Sequence, residues 1–421
     1  MPKPDVSNQY LPAWPGLWLP IALAVMLCSL GAAAQTPVDD TGYKLWDGRL
    51  HVFGDGDLHY VYNPGREPAG PNVASDLALA GRVGYDYDLG KDAVKLQTDG
   101  HIEYRRFLDI ENVGTDNLSA FSGGLGINAL FYRDRPLDFR LTEHLLRSSD
   151  PANQTLTIRL LHWSNDASAG VDFSPRGGAL VVNLEYRFFI DRYDPQNSQG
   201  YDARLLDNWR HIPTLRLNWK FLPKTAAFIE ATGIFTKYYD QAGLAVQNAP
   251  SNVWLTAVGL TGAVTRKISL LAKVGYVNAS MTRMSNFQSA IGQLEVDYEA
   301  RSSSHVKGGF MRTVEPTSIF QYVAITRVYA DASQALFGRA LLSLTVHYDA
   351  LSYGLPVTAI LPGNRFDNDL GGTIELSYKI KPWLIVSLND NLDLRWSKYS
   401  AANLNVGYKY NDVFLQVMVR H

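Results

Sequence analysis

Residues 180–191 read LVVNLEYRFFID. Leu180, Val182, Leu184, Tyr186, Phe188 and Ile190 share one parity; Asn183, Glu185, Arg187 and Asp191 share the other. Successive side chains of a strand point to opposite faces, so this segment has one apolar and one charged face. At helical spacing the two sets intermix around the cylinder. The same alternation recurs along the chain. Lys95, Gln97, Asp99, His101, Glu103 and Arg105 alternate with Val94, Leu96, Thr98, Ile102 and Tyr104. Gln293, Glu295, Asp297, Glu299 and Arg301 alternate with Leu294, Val296 and Tyr298. Glu375, Ser377 and Lys379 alternate with Ile374, Leu376, Tyr378 and Ile380. A soluble sandwich must bury one face of each sheet in a shared core, so charge at every second position over such lengths argues against one.

The punctuation is regular too. Short turns are expected at Leu89–Ala93, Arg133–Pro136, Ser174–Gly178, Leu222–Thr225, Thr265–Ile268, Arg301–Ser304, Asp331–Ala335 and Lys379–Trp383. Longer polar connections fall between them, at Asn63–Ser75, Leu108–Asn117, Arg147–Gln154, Asp191–Asp207, Asp240–Ser251, Met281–Asn286, Val314–Ser318, Ser352–Asn364 and Ser397–Ala402. Eight turns and nine loops join eighteen strands. At about 21 residues per strand plus connection, this suits tilted membrane strands of roughly 10 residues with overhanging ends. The expected fold is all-β: a transmembrane antiparallel up-and-down β-barrel of about eighteen strands, sixteen being the alternative. Lipid offers no hydrogen-bond partner, so such a sheet must close. Aromatics at Tyr60, Tyr62, Tyr85, Tyr87, Phe131, Trp219, Phe221, Tyr238, Tyr378, Trp396, Tyr408 and Tyr410 are expected to form two interfacial girdles. Three places read less cleanly. Residues 253–264 have little polar content on either parity. Glu143 and Asp390 fall on the lipid parity. The last segment changes phase near Asn411-Asp412, where a bulge or turn is expected.

Residues 1–34 read as a signal peptide, with an apolar run from Leu17 to Leu30 and Ala32-Ala33-Ala34 as a small-residue cleavage site. Residues 35–47 are expected to be a short periplasmic N-terminal segment and 48–421 the barrel. The 421-residue chain has a formal net charge of −2. That balance gives no electrostatic footprint for nucleic acid and no polybasic membrane patch. Its one cysteine, Cys28, lies in the apolar leader, so no disulfide framework is expected. The implied location is the bacterial outer membrane, reached by export and by recognition at the barrel-insertion machinery.

The search for chemistry returns little. No HExxH, P-loop, GxSxG or paired CxxC is present. His51, Asp55, Asp57 and His59 share the lumen parity, but a wet charged wall is the plainer reading than a metal site. No catalytic residue, cofactor or metal is expected, and the chain does not read as an enzyme. The informative set is the lumen: Arg82, Asp86, Lys95, Asp99, Glu103, Arg105, Arg140, Glu185, Arg187, Arg216, Lys220, Glu295, Asp297, Glu299, Arg327, Glu375, Lys379, Asp393 and Arg395. Glu185/Arg187 and Asp393/Arg395 bring both signs to one wall, where adjacent strands can cross-pair them. Such a set either braces the barrel or forms a path whose field and constriction select solutes.

Glu103-Tyr104-Arg105-Arg106-Phe107-Leu108-Asp109, Ser148-Ser149-Asp150-Pro151, and Ser174-Pro175-Arg176-Gly177-Gly178 leading to Glu185-Tyr186-Arg187-Phe188 resemble the outer-membrane β-barrel family found with bacterial exopolysaccharide loci, notably in myxobacteria. Those barrels are similar in size to the alginate exporter and the barrel of the poly-N-acetylglucosamine porin. The resemblance carries no catalytic residues over. It implies passage of a polysaccharide to the cell surface, working with a separate periplasmic polysaccharide-export protein. Two departures stand beside it: the lumen is not strongly basic, unlike that of the alginate exporter, and no tetratricopeptide segment precedes the barrel. The sequence expectation is therefore a polar outer-membrane conduit for exopolysaccharide. Its rivals are a general diffusion porin for small hydrophilic solutes and a plugged structural or adhesion barrel.

Overall fold

The computed structural model describes residues 42–68, 73–91, 93–112, 114–132, 136–149, 159–175, 178–194, 197–198, 201–239, 250–281, 286–317, 320–355, 365–398 and 406–421. The signal-peptide expectation lies outside them. Eighteen long strands follow one another: β1 Gly48–Tyr62, β2 Ser75–Gly90, β3 Val94–Phe107, β4 Ala120–Phe131, β5 Leu137–Ser148 and β6 His162–Phe173. Next come β7 Leu180–Tyr193, β8 Asn208–Leu222, β9 Thr225–Tyr238, β10 Ser251–Ala263, β11 Ile268–Met281 and β12 Phe287–Arg301. The last six are β13 Ser304–Pro316, β14 Tyr322–Leu336, β15 Ala340–Tyr353, β16 Phe366–Lys381, β17 Leu384–Ser397 and β18 Tyr408–Arg420. Each pairs antiparallel with its sequence neighbours, and β1 pairs with β18 from Phe53↔Arg420 to Tyr62↔Asn411, closing the ring. A short strand, Tyr43–Leu45, folds back on the start of β1, and His421 exchanges both backbone hydrogen bonds with Val52 at 2.9 Å. Both lie at the short-turn end of the barrel.

Paired residues share a face, so the registers propagate one inside and one outside around the circle. Leu58, Val83, Ile102, Phe121, Leu184, Ile229, Val258, Val274, Leu294, Val328, Ile374, Leu388 and Leu415 all stand outward and exposed. A circumferential apolar belt of this extent has no use in water and matches the hydrocarbon face of a membrane barrel. Closure satisfies the backbone, and the belt satisfies the lipid. Tyr60, Tyr62 and Trp396 stand outward near the long-loop rim, and Trp219, Phe221 and Tyr378 near the short-turn rim.

Several sequence expectations are corrected. The turn expected at Asp331–Ala335 is absent: β14 runs on to Leu336, and the reversal uses Phe337 and Gly338, both with positive φ (52° and 68°). Two consecutive left-handed residues make the hairpin turn, and only Gly338 announces it, because phenylalanine rarely adopts that conformation. The connection expected at Arg147–Gln154 falls later, since β6 begins only at His162. No bulge or turn interrupts Asn411-Asp412. β18 is continuous, with Asp412 inward and Asn411 outward. The apparent change of phase arises because Asn411, near the loop end of β18, donates to the equally outward Asp390, midway along β17, at 2.5 Å, a polar pair on the lipid face. Glu143 is handled alike, bonded by Asn165 of the next strand. The unbroken phase turns Tyr408 and Tyr410 inward, away from the girdle assigned to them. Tyr238 is also inward, and outward Tyr87 is covered, its hydroxyl donating to the Leu45 carbonyl.

Candidate functional site: the constricted bore

The expected lumen residues fall on the face opposite the belt. They are Arg82 and Asp86 on β2; Lys95, Asp99, Glu103 and Arg105 on β3; Arg140 on β5; and Glu185 and Arg187 on β7. Arg216 and Lys220 on β8, Glu295, Asp297 and Glu299 on β12, and Arg327 on β14 continue the set. Glu375 and Lys379 on β16, with Asp393 and Arg395 on β17, complete it. Cross-strand pairing is extensive. Arg82 meets Asp55 at 2.9 Å, Arg140 meets Asp172 at 2.8 Å, Lys307 meets Glu295 at 3.2 Å, and Arg187 forks onto Asp166. The His51-Asp55-Asp57-His59 run is dispersed among neighbours: His51 to Asp86 at 3.0 Å, and His59 to Asp412 at 2.9 Å. Among the described residues, no group of His, Cys, Asp and Glu is placed to hold a metal ion.

The densest constellation is a row crossing five adjacent strands at one height. The registers set Arg327, Asp349, Asp369, Arg395 and Tyr408 side by side. Two carboxylates directly opposite each other repel, and here each is held by the arginine on its far side. Arg327 forks onto Asp349 at 2.7 and 2.6 Å, and Arg395 reaches Asp369 at 2.8 Å. One step nearer the loops, Arg365 bonds Asp367 at 2.6 and 2.9 Å. One step toward the turns lie His347, Gly371, Asp393 and Tyr410. Gly371 leaves the space the His347 ring takes, because a Cβ there would stand 2.3 Å from the ring and push it aside.

Arg66 completes the site from a loop. Asn63 and Arg66 both take left-handed backbone (φ 57° and 58°). Asn63, which tolerates that region, also pins the loop: its amide donates to the carbonyls of Glu67 (2.8 Å) and Lys409 (2.9 Å) and accepts from the Glu67 N–H (2.8 Å). The result puts the Arg66 guanidinium 3.1 Å from Asp393 and over the Tyr410 ring, 4.6 Å from its centroid.

These groups enclose a cavity of about 740 Å³ inside the barrel. Its lining runs from Phe189 on β7 and Arg210 on β8, past Met311 and Glu315 on β13, to Asp393, Arg395, Tyr408 and Phe414, with Arg105 from β3. Strands spread over much of the circumference thus share one space, so the bore is narrow at this height. Of the expected set only Arg105, Arg327, Asp393 and Arg395 meet there; the others are strung along the wall. Sequence reasoning missed Arg66, because the residue arrives from a connection, and Asp412, Tyr408 and Tyr410, because their phase was misread. Asp369 and Arg210 carry the lumen parity and were legible.

The opposite wall differs. In the loop-side half of β9–β12 the inward residues are Ile234, Val253, Leu255, Val277, Ala279, Phe287 and Ile291, with Val253, Val277 and Ala279 essentially inaccessible. This accounts for the poorly polar segment 253–264. Leu160, Tyr193, Ala203 and Leu206 form a second cluster where the long 194–207 connection docks on β7. Of the two longest expected connections, Asp191–Asp207 and Ser352–Asn364, residues 195–196, 199–200 and 356–364 lie outside the described residues.

No family model and no curated protein matches the chain. Among solved structures it is similar to OccAB3 of Acinetobacter baumannii, with 12% identity and a TM-score of 0.44 over 90% of this chain and 100% of that one. It is similar to OccK9 (OpdG) of Pseudomonas aeruginosa, with 10% identity and a TM-score of 0.45 over 89% and 99%. It is also similar to the siderophore receptor PirA of Pseudomonas aeruginosa, with 8% identity and a TM-score of 0.41 over 88% and 80%. At these scores no residue role is transferred. The class rests on the chain's own geometry, a closed eighteen-stranded transmembrane β-barrel.

Proposed function

We propose that this chain is an outer-membrane channel that passes small polar solutes through a constricted, charge-balanced bore. One observation carries the reading: the cavity at the narrow point is lined by five arginines and four carboxylates interleaved with aromatic rings. Paired charges present donors and acceptors while cancelling each other's far field. Such a wall replaces the hydration of a passing solute without strongly favouring either sign of ion. The narrowness favours short solutes over a continuous polymer. Polysaccharide export stands as the second reading, supported by the rings of Phe189, Tyr408, Tyr410 and Phe414 on the same cavity, which suit stacking on sugars.

Planar-bilayer recording tests the proposal. The purified protein is expected to give stepwise conductance with a reversal potential near zero in a KCl gradient. Asp349→Asn, which uncovers Arg327, is expected to turn it toward anions. A silent bilayer overturns the channel reading. Deleting the gene separates the two cargoes: loss of surface polysaccharide with intact synthesis favours export, and altered uptake of small solutes favours diffusion.

A further inference from the structure

The site that Arg66 fills is built without it. Asp393 projects from β17 and Tyr408 and Tyr410 from β18, all on rigid paired strands. The Tyr408 hydroxyl donates to Asp393 at 2.9 Å and so orients the carboxylate independently of Arg66. Arg66 comes from a connection, lies 4.6 Å from the Tyr410 centroid and 5.7 Å from that of Tyr408, and reaches Asp393 at 3.1 Å. Two aromatic faces and an oriented carboxylate are what recognises a planar or quaternary cation. The neighbouring cations each hold another carboxylate: Arg395, whose guanidinium also lies 5.6 Å from the Tyr408 centroid, bonds Asp369, and Arg105 meets Glu103 (3.4 Å) and Asp412 (3.8 Å). Asp393 therefore gives the site a local negative charge.

From this we infer that Asp393, Tyr408 and Tyr410 form a binding site for guanidinium-bearing solutes, which Arg66 occupies as a built-in competitor. The inference rests on the channel reading for its meaning, since the solute would be one in transit. Arg66 then sets a threshold: a solute enters the narrow point by taking over contacts the chain already makes, so the site holds it weakly and releases it.

The test is isothermal titration of the full, detergent-solubilised chain with argininamide, a cation with no carboxylate for the nearby arginines to hold. Heat-dependent gel migration checks that each variant is a folded barrel. Arg66→Ala is expected to bind the probe roughly tenfold more tightly than the parent, the scale of one desolvated cation–π contact. Adding Asp393→Asn to Arg66→Ala is expected to abolish the gain, and adding Tyr410→Leu to reduce it. Equal affinity in parent and Arg66→Ala, or a gain that survives Asp393→Asn, overturns the inference. Binding needs no conductance. A silent bilayer with this pattern of affinities would sink the channel reading alone, and a conducting pore without the gain would sink this inference alone.

Discussion

Two walls of the same bore, at the same loop-side height, are built on opposite plans. Across β14–β17 the inward residues are Arg327, Asp349, Asp369 and Arg395, locked pair by pair. Across β9–β12 they are Ile234, Val253, Ala279 and Phe287, then Leu255, Val277 and Ile291, packed without charge. The outward faces of the two regions are alike, with Val328, Tyr348 and Ile374 on one and Ile229, Val258 and Val274 on the other. Lipid dictates the outside everywhere and leaves the inside open to selection, so the inward face is where one channel comes to differ from another. The two plans also fail differently. A charge that loses its partner is left stranded, whereas an apolar side chain that loses a neighbour leaves a void.

The largest effect is expected at the paired wall. Arg395 and Asp369 are each about 95% buried as side chains. Arg395→Ala is expected to cost about 3–5 kcal/mol by stranding Asp369, read as a fall in the midpoint of denaturant unfolding in detergent. The charge-swapped Asp369→Arg/Arg395→Asp protein is expected to recover part of it. If Arg395→Ala is as stable as the parent, the wall is not held by its pairs. Val277→Ala on the other wall is expected to cost about 2 kcal/mol by the same measurement while leaving ion selectivity unchanged. A shift of selectivity would show that the apolar wall also steers solutes.

A smaller effect probes the outside. Asn411→Leu deprives Asp390 of its lipid-side donor and is expected to cost about 1–3 kcal/mol. The double variant Asp390→Leu/Asn411→Leu is expected to return to parental stability or better, because two apolar groups replace two polar ones in hydrocarbon. No recovery would mean that the pair serves something besides mutual satisfaction. The smallest effect lies in the solvated turn after β2. There Lys91 hydrogen-bonds and ion-pairs with Asp47, which together raise its ammonium pKa. A raised lysine pKa stabilises fully below the unfolded value of about 10.4 and fades as pH climbs through the folded one. That contribution is whole at neutral pH, but both side chains are solvent-exposed and screened, so Asp47→Asn is expected to lower the unfolding midpoint there by no more than the scatter of replicate titrations.

The period-two pattern made the barrel legible, because an outer face in lipid admits few exceptions: the parity read at 180–191 sets Glu185 and Arg187 on the face opposite Leu184 and Tyr186. Glu143 and Asp390, read on the lipid parity, do stand outward, each bonded by an outward asparagine of another strand. The pattern failed at Asn411, which reads as a change of phase because its partner Asp390 sits on a different strand and alternation along one strand cannot reveal the bond. That misreading cost the site Tyr408, Tyr410 and Asp412. Arg66 escaped for another reason, since no periodicity applies within a connection. The turn at Phe337 escaped because its residue type argues against the conformation it adopts.

The closing pair, β1 against β18, has a kinetic meaning. The other seventeen ladders between the long strands join strands adjacent in sequence and can form as local hairpins, whereas His59 and Asp412 are separated by 353 positions. Bringing such distant segments together is the most entropically expensive contact in the molecule and gains least from partial order, so it belongs at the end of assembly. Until that clasp shuts, two bare ribbon edges face outward together, and the interval before it shuts is when the chain is most open to pairing with the wrong neighbour.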